Sequence, residues 1–210
     1  ELKALRSQMN PHFMFNSLNS IKNYILHAEP KIAAEYLSNF SHLIRMILQN
    51  SKEKTITLAE EVETLLLYIE LEQIRFENKF EFSLEVDEKV EMDQVSIPPM
   101  LLQPFVENAI WHGLLHKNGI GHLRLQFALI QDQVACVIDD DGVGRAKAAE
   151  LKSLSAVRYK SMGMGITLDR VELLNKMDSY GIHIDITDKT DPSGQAAGTC
   201  VTVKIPVANS

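Results

Sequence analysis

The segment "QPFVENAIWHG", Gln103 to Gly113, reads as a helix that carries a carboxylate and a carboxamide, Glu107 and Asn108, at adjacent positions. Magnesium takes hard oxygen donors, so the pair suits an ion held beside a nucleotide phosphate. His112 and His116 have the i, i+4 spacing of a zinc site. Gly113 sits between them and no third ligand is evident, so zinc is set aside.

Working outward toward the C-terminus, the period becomes that of strands. "FEFSLEV", "HLRLQFALI", "VACVID", "IHIDIT" and "TCVTVKIP" read as strands, broken by helical stretches near 99–115, 145–155 and 165–177. The expected class is α+β, with helices on one face of a mixed sheet. Two glycine pairs lie in this half. "VIDDDGVGR" ends a strand in acidic residues followed by Gly142 and Gly144, and "MGMGI" sets Gly163 and Gly165 just before a helix. Glycines at a strand end or helix start let the backbone approach a ligand and leave amide N–H groups for phosphate. Asp140, beside them, is placed to accept a hydrogen bond from the exocyclic amine of adenine. A pair of tight turns would leave the same glycines, and taken alone these residues do not separate the two readings.

Toward the N-terminus the pattern is helical. In "QMNPHFMFNSLN", Gln8 to Asn19, and the residues after it, a 100° step gathers Met14, Leu18, Ile21 and Ile25 on one side, the expected packed side. His12, Asn16, Asn19 and Asn23 gather on the opposite side, so His12 is expected to be exposed. Pro11 either opens this helix, with Asn10 as cap, or kinks a longer one. A second amphipathic helix carries Ile32, Tyr36, Phe40, Leu43 and Ile47 in one row and Ala33, Leu37, Ile44 and Leu48 beside it. "TLAE", Thr57 to Glu60, matches a capping box and opens a third helix through about Phe76, with Leu58, Val62, Leu65 and Ile69 on one face. Three amphipathic helices have little interior of their own. Residues 1–79 are therefore expected to complete a bundle with a second copy, and 80–210 to form a separate domain.

The composition of the 210 residues, 45% apolar and 23% charged, is that of a globular chain. A formal net charge of −7 speaks against a nucleic-acid surface. Cys136 and Cys200 stand in apolar strand-like runs, which suits buried thiols in a reducing compartment, and the chain is read as cytoplasmic. No apolar run reaches the 18 or so residues of a membrane span. The chain starts at Glu1 and is read as a fragment.

The order "ENAxxHG", "DDGxG", "GxGI", "GTxVxVxIP" resembles the ATP-binding domain of sensor histidine kinases, an α/β sandwich of the Bergerat type shared with gyrase, the Hsp90 chaperone and MutL. "QMNPHFMFNSLNSI" together with "LxxEVETLLLYIELEQIRF" resembles the phosphoacceptor region of the LytS/YehU class of those kinases, so the likeness spans nearly the whole chain. It implies a helical dimerisation and phosphoacceptor module followed by an ATP-binding domain. His12 is then the phosphoacceptor: its imidazole takes the γ-phosphoryl of Mg-ATP and passes it to an aspartate of a response regulator. Asn108 is the implied magnesium ligand and Asp140 the adenine reader. Gly142, Gly144, Gly163 and Gly165 shape the pocket, Thr199 lies near adenine, and residues 145–162 form a lid whose Lys147, Lys152, Arg158 and Lys160 are available for phosphate. A homodimer is implied, as is a membrane anchor upstream, in the inner membrane, with no membrane contact within this chain.

Two positions depart from the family's common pattern. Trp111 stands three residues after Asn108, where many of these kinases have a lysine, so His112 or the lid lysines are the candidates for that phosphate contact. Phe13 follows His12 where many have an acidic residue, which leaves Glu107 as a candidate base and Asn16, one turn on, to position water or phosphate. The competing class is a nucleotide-binding signalling scaffold that acts through dimer geometry without catalysis. A gyrase-type clamp is disfavoured because Pro104 stands four residues before Asn108, where those enzymes place a water-activating glutamate.

Overall fold

The computed structural model describes residues 11–27, 30–154, 163–178 and 180–207. Three helices come first: α1 (Pro11–Leu26), α2 (Pro30–Asn50) and α3 (Leu58–Arg75). The capping box of α3 forms in full. The Glu60 backbone N–H donates to Thr57 Oγ1 at 3.2 Å and the Thr57 N–H donates to the Glu60 carboxylate at 2.7 Å, a device worth about 1 kcal/mol.

The packed side of α1 differs from the one its periodicity suggests. Its buried row is Phe13, Ser17 and Ile21, while Leu18 and Ile25 are 52% and 62% exposed. The cause is aromatic. Phe13 packs on the rings of Phe40 and Tyr68, and Tyr24 packs on Tyr36. Large rings bury the most area and so decide the rotation of the helix about its axis. Helix α2 buries the expected row from Tyr36 to Ile47, but Ile32 at its start is exposed, as are Leu37 and Leu48. An apolar surface on α1 and α2 therefore remains uncovered among the described residues.

The remaining strands are β1 (Ile56–Thr57), β2 (Phe80–Val86), β3 (Ser96–Ile97), β4 (Gly121–Ile130), β5 (Gln133–Asp140), β6 (His183–Thr190) and β7 (Ala196–Pro206). Five of them form a sheet in the order β2-β4-β5-β7-β6, in which β2 and β4 are parallel and the other neighbours antiparallel. This is the mixed sheet of an α+β chain. Helix α4 (Gln103–Asn108) runs on through a π-helical turn (Ala109–Gly113) and a 3-10 turn (Leu114–His116); α5 (Gly144–Leu154) and α6 (Gly163–Asp178) follow β5. The two-residue ladder between β1 and β3, pairing Ile56 with Ile97, leaves no mark in the sequence pattern. It is too short to carry a period.

Side chains of one sheet face form the core with α3 and α4: Leu123, Leu125 and Phe127 from β4, Val134, Cys136 and Ile138 from β5, Val201, Val203 and Ile205 from β7. The same buried cluster takes in Phe13, Tyr36 and Tyr68, so it is continuous from α1 to the last strand.

Candidate nucleotide site and its link to the helices

Residues i, i+2 and i+4 of a strand share a face, so Asp140 falls in the inward row of Val134, Cys136 and Ile138. An acid therefore stands at the end of an apolar row, and it is buried. The register sets Thr199 directly opposite on β7, also buried. Burial pushes the Asp140 carboxyl up to about 6, against the Gly142 N–H, the charge of Lys189 and the Thr199 N–H. Asp140 Oδ1 accepts from Gly142 N at 2.8 Å. Its two acidic neighbours face elsewhere: Asp139 pairs with Lys189 and Arg124, and Asp141 with Lys117 and His122.

The loop after Asp140 lies against the end of the α4 segment. A Cβ at Gly142 would stand 2.5 Å from the Gly113 Cα and 2.8 Å from Asp140 Oδ1, so no side chain fits there. Gly198 has φ +118°, and a Cβ on it would meet the Asp140 carbonyl oxygen at 2.0 Å. Gly142 lets the backbone close on the Asp140 carboxylate, and Gly198 lets β7 close on the Asp140 backbone. No periodicity singles out Gly113 or Gly198, because a glycine's reason lies in what touches it, which spacing cannot show. Gly144 opens α5 and Gly163 opens α6. A Cβ at Gly165 would meet nothing within 4 Å, so packing does not demand a glycine there.

Asn108 and His112 are half-buried on successive turns of the α4 segment that ends at Gly113. Asn108 Nδ2 donates to the Pro104 carbonyl at 2.6 Å, which fixes the amide with Oδ1 as its acceptor end. Glu107 accepts from Gln103 Nε2 at 3.0 Å. The start of this helix is held from α3. The fully buried Glu61 accepts from the backbone N–H of Met100 at 2.8 Å and of Leu102 at 2.9 Å, although Met100 has the left-handed φ of +56°. Nothing in the sequence marks Glu61, which reads as one more acid in a first helical turn.

Asn16 is half-buried on α1. The His12 side chain lies outside the described residues, as do Asn10, residues 155–162 of the expected lid, and the side chain of Lys152. In the described part of that lid, α5, Arg145 is committed to Asp188 by two hydrogen bonds of 2.6 and 2.7 Å, while Lys147 is exposed.

Farther along α3, Glu72 is buried and ion-paired to Arg75 at 3.0 Å. Burial pushes its carboxyl up to about 7, opposed by Arg75 and reinforced by the charge of Glu107. The fold thus holds a proton on Glu72 that the unfolded chain, near 4.5, gives up. This contribution to stability is complete below pH about 4.5 and is lost as pH rises through about 7, a change on the order of 3 kcal/mol. Urea midpoints measured from pH 5 to 8 should fall more steeply for the wild type than for Glu72→Gln; parallel curves would remove Glu72 as the cause.

By its similarity to curated relatives the chain belongs to the sensor histidine kinase family. A histidine kinase family model matches residues 1–80. The chain is 31% identical over its whole length to the sensor histidine kinase YpdA of Escherichia coli, of which it spans 35%. It is 33% identical over 177 residues, 82% of its length, to the sensor histidine kinase/phosphatase LytS of Staphylococcus aureus, of which it spans 29%. The chain thus covers about a third of these relatives. The histidine kinase domain of a blue-light activated histidine kinase from Erythrobacter litoralis shares the fold, with TM-score 0.51 and 15% identity over 91% of this chain and 92% of that one. No helix among the described residues is long and apolar enough to cross a membrane.

Proposed function

We propose that this chain is a catalytic core that moves the γ-phosphoryl group of Mg-ATP onto His12 and from there to an aspartate of a response regulator. The observation that carries the reading is Asp140: a buried carboxylate, walled by Gly113 and Gly142, at the end of an apolar strand row. Such a group suits the amine edge of adenine, with Thr199 beside it. Asn108 offers Oδ1 to magnesium, and Gly142, Gly144, Gly163 and Gly165 shape the nucleotide pocket. Residues 1–79 serve as the dimerisation and phosphoacceptor module and 80–210 as the ATP-binding domain. The uncovered apolar surface of α1 and α2 is the face a second copy covers.

In the transfer, an imidazole nitrogen of His12 forms a bond to the γ-phosphorus as the bond to the bridging oxygen breaks. ADP leaves, and the ring proton passes to a base, for which Glu107 is the candidate. Positioning and charge neutralisation supply most of the acceleration. His112 stands in for the lysine that Trp111 replaces. Incubation with γ-labelled ATP and magnesium tests the reaction: the product should be acid-labile and base-stable, as a phosphohistidine is. Nucleotide binding without any label would instead favour the scaffold.

Asp140→Asn should weaken ATP binding. Half of the carboxylate's acceptor capacity becomes a donor, at a cost of roughly 1.5–3 kcal/mol, or ten- to hundredfold in affinity. Calorimetry giving the wild-type affinity would take Asp140 out of the adenine role.

A further inference from the structure

The two departures from the common kinase pattern, Phe13 after His12 and Trp111 after Asn108, meet on one residue. The Phe13 ring packs on the Tyr68 ring at 5.1 Å between centroids, and Tyr68 Oη accepts from Trp111 Nε1 at 3.2 Å. Phe13 and Tyr68 are both buried. Trp111 is gripped from α3 as well: the Arg75 guanidinium lies 4.4 Å from its ring centroid and Phe76 meets it edge-on at 5.4 Å. Glu72 holds Arg75 in place.

A phenylalanine at 68 would serve packing alone. Burying a hydroxyl is costly unless it is paired, and the donor Tyr68 takes comes from the nucleotide half of the chain. Trp111 in turn brings an indole N–H where a lysine would bring a phosphate contact. The residue next to His12 and a residue one turn from Asn108 are thus tied through a single side chain. We propose that Phe13, Tyr68 and Trp111 are positioning residues, a side-chain linkage that orients the phosphoacceptor helix relative to the nucleotide helix in the arrangement that phosphorylates His12. This rests on the roles of His12 and Asn108 proposed above.

Tyr68→Phe, Trp111→Phe and the double variant, made in the whole chain, test it. Each single change should lower kcat for autophosphorylation about tenfold, and the double should be no worse than the poorer single, because both remove one bond. KM for ATP and nucleotide affinity should stay within about twofold, since no group of the nucleotide pocket is altered. Additive losses, a matching loss of affinity, or a rise in kcat would each overturn the linkage. A second readout does not need the reaction. Trp111 is the single tryptophan, so Tyr68→Phe, and Phe13→Leu acting through Tyr68, should both shift its emission. If the wild type takes no label, the kinase reading fails and the linkage is decided by that emission and by non-additive urea stabilities. If labelling is normal and the emission and kcat of the variants match wild type, the linkage fails and the kinase reading stands.

Discussion

His12→Gln should abolish labelling from ATP while leaving nucleotide affinity close to wild type. Glutamine is similar in size and polar, but its amide nitrogen is not a nucleophile near neutral pH, whereas neutral imidazole is. His12 lies on α1, in a different part of the chain from Asp140 and Asn108. The pocket therefore has no reason to change. The loss should appear entirely in kcat, measured by labelling under saturating Mg-ATP, with calorimetry as the control. Wild-type labelling of the variant would move the search to His42 or to an acceptor that is not histidine.

Glu61→Ala should be the most destabilising single substitution among those discussed. The side chain is buried, and removing it strands two backbone N–H groups, of Met100 and Leu102, that have it as acceptor. Stranded buried donors cost about 1–3 kcal/mol each, which sums to roughly 3–5 kcal/mol with the lost packing. For a chain of this size that is on the order of 10 °C in melting temperature. ATP affinity should fall as well, because the turn Glu61 holds starts the helix carrying Asn108. Glu61→Gln, which keeps one acceptor oxygen, should recover part of both. A melting temperature within 2 °C of wild type for the alanine variant, roughly the shift expected from less than 1 kcal/mol, would show that the bonds to Met100 and Leu102 contribute little.

The local features came through in the sequence because each depends on neighbours a few residues away. The Thr57–Glu60 capping box, the strands from Phe80 to Val86 and from Gln133 to Asp140, and the helix opening at Gln103 follow from period and cap chemistry. Even the inward face of Asp140 was legible in principle. Alternation from Val134 puts it in the apolar row, apart from Asp139 and Asp141, whose partners Lys189 and Lys117 lie far off in the chain.

Tertiary structure alone decided what required two distant segments to meet. The rotation of α1 followed from Phe13 finding Phe40 and Tyr68, not from its most regular apolar stripe, because rings bury more area than the aliphatic side chains of that stripe. Thr199 reached Asp140 through strand register. Glu61 gained its importance from two backbone groups some forty residues on, and Gly113 and Gly198 from atoms that would collide with any Cβ. Trp111 and Phe13, two departures from a family pattern when read along the chain, became the ends of one contact only once α3 stood between them. A sequence states what each side chain is able to do; which of those capacities is used depends on the single neighbour that folding brings to it.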